Sequence, residues 1–117
     1  MVSALHVGMV GFGNIGSGVL RALASNGRLI NARVPHPVRI TRIADIDTTT
    51  QRNAPYDPAI LTQDVDGVLA DPEINVVLEL TGTMDFARNL VERALKAKKH
   101  VVTANKALLS VHGTDLI

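Results

Sequence analysis

Residues 9–18 read MVGFGNIGSG and place Gly11, Gly13, Gly16 and Gly18 within eight residues, between an apolar run and an amphipathic stretch. Glycine loses more backbone entropy on folding than any other residue, so such a cluster needs a geometric use. The preceding run Leu5 to Val10, LHVGMV, is apolar, rich in β-formers and ends abruptly at glycine, which predicts a buried strand. From Asn14 the pattern changes: NIGSGVLRALASNG sets Val19, Leu20 and Leu23 on one side and Arg21 on another. A helix is predicted from Asn14 to the stop signal Asn26-Gly27. The order is strand, glycine turn, helix. A helix start offers unpaired N–H groups and a partial positive charge, and glycines there let a phosphate approach the backbone.

The rest of the chain repeats the alternation. Residues 28–37, RLINARVPHP, carry two prolines and are expected to form a surface connection. VRITRIAD is a β-branched second strand followed by the polar loop DIDTTTQRNAPYDP. A short strand is expected at Ile60 to Thr62 and a helical turn or two from Asp64 to Leu69. Asn75 to Leu80, NVVLEL, forms another strand, ended by the turn TGT. In the helix predicted from Asp85 to Lys98, Ala87, Leu90, Val91, Ala94 and Leu95 make one apolar stripe. Its charges suit the helix dipole, with Asp85 near the start and Lys96 and Lys98 near the end. His100 to Thr103 is a further strand, and NKALLSVHG opens a helix that Gly113 ends. Buried strands alternating with helices imply parallel β-α units with right-handed crossovers. The expected fold is therefore α/β, a doubly wound open parallel sheet. A single domain over residues 1–117 is expected, and the start of a new β-α unit just before Ile117 leads us to expect a fragment.

GFGNIG spells G-x-G-x-x-G between a predicted strand and a predicted helix, the context in which the pattern reads as a Rossmann dinucleotide site and not merely a close-packed turn. Gly11 permits the tight turn, Gly13 lets the backbone approach a pyrophosphate, and Gly16 lets the helix pack on the strand. Such a site places a carboxylate at the end of the second strand to take the adenosine ribose. Asp45 sits there, the proline-bearing connection having lengthened the crossover; Asp47 lies further into the loop. Ile46 stands where an arginine would receive a 2′-phosphate, and a carboxylate repels that phosphate, so NAD is expected over NADP. Arg42 and Arg52 are the residues able to reverse that preference. Ligands in such sheets lie at the carboxyl ends of the strands. Thr81, Gly82, Thr103, Asn105 and Lys106 are therefore expected around the same crevice, although Thr81 and Gly82 also suit a plain turn and Lys106 a solvated helix end. A lysine at a helix start opposes the dipole, a cost that a functional role would explain.

Other chemistries find little support. With 12 basic and 11 acidic residues, a net charge of +1 and no basic run, the chain is not expected to bind nucleic acid or a membrane surface. It has no cysteine, which removes disulfide and thiolate chemistry and fits a reducing compartment. The N-terminal stretch lacks the basic start of a signal peptide, and no segment is long enough to span a bilayer, so a cytoplasmic location is expected. His6, His36, His100 and His112 lack metal-ligand spacing, and Ser17 and Ser110 lack a nucleophile elbow; no metal is expected.

The stretches VGMVGFGNIGSGVLRAL, VRITRIADID, INVVLELTGT and especially ALKAKKHVVTANKALLSVHGTDL resemble the N-terminal nucleotide-binding domain of homoserine dehydrogenase. The resemblance covers essentially the whole chain. It implies nicotinamide-dependent interconversion of L-homoserine and L-aspartate 4-semialdehyde, on the route to threonine and methionine, by a homo-oligomeric enzyme. It further implies that Phe12, Asn14 and Ile15 touch the cofactor and that Lys106 lies at the nicotinamide and substrate end. There the lysine would orient substrate or stabilise developing oxyanion charge. Many members carry arginine at the position of Ile46 and accept NADP; this sequence departs there. The family's later domain supplies the substrate-binding acids, the catalytic lysine-aspartate pair and most of the dimer interface, so this chain alone is expected to bind dinucleotide weakly and to be inactive. Two other readings remain open at this stage: a stand-alone NAD-binding regulatory module, and the cofactor domain of another amino-acid or sugar dehydrogenase.

Overall fold

The computed structural model describes residues 5–32 and 38–104, with backbone alone for 26–32. Its centre is β1 (Leu5–Val10), whose last four residues are all buried. A strand covered on both faces has no polar side to show, which is why this run lacks two-residue alternation. β1 pairs in parallel with β2 (Val38–Ala44) on one side and β4 (Val76–Glu79) on the other. β3 (Leu61–Thr62) extends the sheet beyond β2, and β5 (His100–Thr103) extends it beyond β4. The five-stranded order is β3-β2-β1-β4-β5. The chain therefore winds outward one way from β1, then returns to wind the other way. The reversal lies between β1 and β4.

Helices cover both faces. α1 (Asn14–Ala32) sends Leu20 into a cluster with Met9, Phe12 and Ile43. On the opposite face, Val68 and Leu69 of α2 (Val65–Ala70) and Leu90 and Ala94 of α3 (Asp85–Lys96) pack against Val10, Ala44 and Val77. The neighbours Met9 and Val10 thus anchor opposite layers. Gly8 decides how close α2 can come: a Cβ there would lie 2.5 Å from Val68 Cγ1.

Several expectations need correction. α1 does not stop at Asn26-Gly27 but runs to Ala32, so residues 28–32 are helical and not connection. A glycine inside a helix costs only about 1 kcal/mol relative to alanine, too little to end it where helix-compatible residues follow. α3 ends at Lys96, because Lys98 takes a left-handed φ of 62° and the Lys98 and Lys99 amides fold back onto the Leu95 and Ala94 carbonyls. Leu95, expected on the buried stripe of α3, is 42% exposed. The second strand ends at Ala44, a short 3-10 turn at Pro58–Ile60 precedes β3, and β4 is one residue shorter at each end than NVVLEL. The helix predicted from NKALLSVHG lies outside the described residues.

Candidate functional site

The glycine turn leaves β1 at the point where the sheet reverses. Gly11 has φ 102°, and its amide donates to the Ala44 carbonyl at 2.8 Å. A Cβ on Gly11 would come within 2.7 Å of the Leu80 carbonyl carbon and oxygen, so the end of β4 leaves no room for a side chain. A Cβ on Gly16 would meet the Gly11 carbonyl oxygen at 2.9 Å and Met9 Cε at 3.1 Å, which is the close helix–strand approach. Gly13 differs. Among the described residues nothing lies within 4 Å of its Cβ position, and the residue is exposed at the mouth of α1. The turn is thus tight at Gly11 and Gly16 and open at Gly13, where a phosphate would approach the backbone. A diphosphate fits this cradle.

Asp45 follows β2 and faces the turn. Its Oδ2 accepts the Phe12 amide at 2.6 Å, and its Oδ1 accepts the Asp47 amide at 2.8 Å. The carboxylate joins the glycine turn to the β2 loop and keeps lone-pair capacity for a ribose hydroxyl. Arg52, its side chain only 7% exposed, locks the same junction. Its Nε donates to the Phe12 carbonyl at 3.1 Å, Nη1 to Thr50 at 2.8 Å and Nη2 to the Asp47 carbonyl, while the guanidinium lies 4.7 Å from the Phe12 ring centre and 3.7 Å from Asp45 Oδ1. Arg42 lies elsewhere, donating to the Ala59 carbonyl beside β3. Asp47 is exposed. The Thr50 hydroxyl first, then the Thr50 and Thr49 amides, hold its carboxyl well below the usual range, and the Arg52 charge adds to this.

The other side of the crevice is built from the ends of β4 and β5. Glu79, the last residue of β4, is fully buried. Its Oε1 accepts the Thr81 amide at 3.0 Å and the Thr81 hydroxyl at 2.7 Å, and its Oε2 accepts the Thr103 hydroxyl. Between the two sides is a hollow of about 450 Å³ lined by Val10, Gly11, Phe12, Gly13, Ala44, Asp45, Ile46, Val65, Leu80, Thr81, Thr83 and Phe86. That volume suits a ligand laid along the strand ends.

The structure thus gathers Gly11, Phe12, Gly13, Asp45 and Thr81 around one hollow, and Glu79 ties Thr103 to its edge. The Phe12 side chain is turned into the core, edge-on to Tyr56 at 5.0 Å, so its backbone is what faces the turn. Asn14 lines a second hollow on the far side of the turn, with Arg21 and Asn53. Ile15 is 59% exposed at the helix start. Gly82 has φ 72° and makes the turn after β4 without lining the hollow. Asn105 and Lys106 lie outside the described residues. Sequence reasoning missed Glu79 and the anchoring role of Arg52. The signal for Glu79 was a charged residue inside an apolar strand, since carboxylates are seldom fully buried without partners. Arg52, in a polar loop, gave none.

A parallel sheet reversing at a G-x-G-x-x-G turn, with a carboxylate ending the next strand, defines a dinucleotide-binding domain of the Rossmann class. The chain matches a family model described as "Homoserine dehydrogenase, NAD binding domain" over residues 11–117. The chain belongs to that family. It is 34% identical over 116 residues to the homoserine dehydrogenase of Bacillus subtilis, covering 99% of this chain and 27% of that protein. Against that of Methylobacillus glycogenes it is 39% identical over 106 residues, covering 91% and 26%. Among solved structures, Staphylococcus aureus homoserine dehydrogenase superposes with a TM-score of 0.87 at 32% identity, covering 98% of this chain and 30% of that one. The Thiobacillus denitrificans enzyme gives a TM-score of 0.84 at 35% identity, covering 98% and 26%. The chain therefore spans roughly a quarter to a third of the length of these relatives. Among the described residues no helix is long and apolar enough to cross a membrane.

Proposed function

We propose that the chain is the cofactor-holding domain of a homoserine dehydrogenase that interconverts L-homoserine and L-aspartate 4-semialdehyde, with NAD preferred over NADP. The nicotinamide cofactor supplies hydride acceptance and donation, and oxidation of the substrate alcohol releases one proton. The chain's own residues bind and orient. Gly13 and the α1 start receive the diphosphate, Asp45 takes the adenosine ribose, and Thr81 and Thr103 border the nicotinamide half. In this reading Asn14, Ile15, Gly82 and Asn105 complete the cofactor's surroundings and Lys106 stands at the substrate end, as the family resemblance implies. A cytoplasmic, homo-oligomeric enzyme of threonine and methionine synthesis is part of the same proposal.

The Asp45 carboxylate on the Phe12 amide carries the reading, because it puts a ribose acceptor beside the open Gly13. It also carries the cofactor preference. Arg42 lies by β3, and the Nε, Nη1 and Nη2 atoms of Arg52 each donate to a backbone carbonyl. Asp45→Asn keeps an acceptor for Phe12 and removes the charge. Titration of NAD and NADP into the full-length protein should show the NADP-to-NAD affinity ratio rising about tenfold in this variant. An unchanged ratio sinks the preference. Turnover of an alcohol other than homoserine sinks the substrate assignment.

A further inference from the structure

We propose that Glu79 is a positioning residue for the nicotinamide end of the cofactor, acting by holding Thr81 and Thr103 together and dictating which way their hydroxyls point. The proposal rests on the dinucleotide reading of the crevice. Glu79 occupies the same strand face as Val77, where the packing against α2 and α3 would accept an apolar side chain. Burying a carboxylate there is unfavourable unless donors satisfy it. Three donors do, and all belong to residues at the carboxyl ends of β4 and β5. The Ala104 amide adds a bond to the Glu79 carbonyl at 3.2 Å, so the two strand ends are tied through both side chain and backbone.

The network also has a direction. A carboxylate only accepts, so the single hydroxyl proton of Thr81 is committed to Oε1 and that of Thr103 to Oε2. Thr83 Oγ1 lies 3.0 Å from Thr81 Oγ1 and must then be the donor of that pair. The protons run inward from Thr83 through Thr81 to Glu79. Asp45 takes the adenosine side across β2 and the α1 start takes the diphosphate, so the nicotinamide half falls over β4 and β5. There it meets Thr81 and Thr83, which line the hollow; the Thr81 hydroxyl donates to Glu79, and its oxygen accepts the Thr83 hydroxyl and, at 3.4 Å, the Thr83 amide. With its proton committed to Glu79, the Thr81 hydroxyl has no donor left for a ligand carbonyl.

Glu79→Gln tests direction with little change in shape. The Thr81 amide can only donate, so the glutamine oxygen must face it, and the new NH2 must face Thr103. The Thr103 hydroxyl then has to accept and send its proton elsewhere. Thr103→Val removes the same bond from the other partner and serves if the Glu79 variant does not fold. ADP-ribose lacks the nicotinamide, and calorimetric titration of ADP-ribose and NAD+ into the full-length protein separates the two halves of the site. Both variants should bind ADP-ribose within about twofold of wild type, bind NAD+ about tenfold more weakly and lose about tenfold in kcat for homoserine oxidation. Equal weakening of both ligands, or of neither, overturns the role for Glu79. Wild-type protein that binds neither ligand overturns the cofactor reading and this proposal with it.

Discussion

The glycines of the first turn differ from one another once their surroundings are seen. Gly11 is required by φ and by the Leu80 carbonyl, Gly16 by the Gly11 carbonyl, and Gly13 by no contact among the described residues. Among the described residues, a Cβ on Gly18 would meet only the far end of Arg21, at 3.8 Å, an ordinary contact. The spacing made the tight geometry at Gly11 and Gly16 legible, because the motif states where a backbone must turn. It could not announce Arg52, whose contacts join residues far apart in sequence. Asp47 offers a pH test at this scale. Its folded carboxyl is lowered by the Thr50 and Thr49 donors, so its contribution is present above the ordinary aspartate value of about 4 and is lost as pH falls below it toward the folded value. Thermal melting between about pH 6 and pH 3 should therefore fall more steeply for wild type than for Asp47→Asn. Parallel curves would show that the loop bonds do not persist in solution.

Strands and helices were legible where burial is simple. LHVGMV, HVVT and the stripe on α3 each carry one strong pattern, and their boundaries fall within two residues of those expected. The misjudged end of α1 came from treating Asn26-Gly27 as a local instruction, although a helix boundary depends on what both sides of the signal can form. What the pattern could not express is the distance between elements. Gly8 looks like an unremarked member of an apolar run, yet it sets the approach of α2 to β1. Gly8→Ala should destabilise the fold by about 1–3 kcal/mol through overpacking, and Val68→Ala in the same chain should recover part of that loss. Urea unfolding of the single and double variants measures the coupling. Additive losses would mean that α2 moves aside freely.

At the scale of the molecule, the winding of the sheet does what no single element can. By reversing between β1 and β4 it opens the strand ends and brings Asp45 from one side and Thr81 from the other to the same turn. The fold class followed from alternating strands and helices, but the buried Glu79 network emerges only when β4 and β5 are laid side by side. The account depends on the exposed backbone at Gly13 being the seat of a diphosphate. Gly13→Val tests this most directly, since its Cβ meets no atom of the described residues within 4 Å and the side chain is placed at the approach to the turn. Calorimetric titration of NAD+ and ADP-ribose into the full-length variant should show affinity for both falling at least about tenfold, with folding stability changed by about 1 kcal/mol or less. Undiminished affinity for both ligands in a folded Gly13→Val protein would contradict the account.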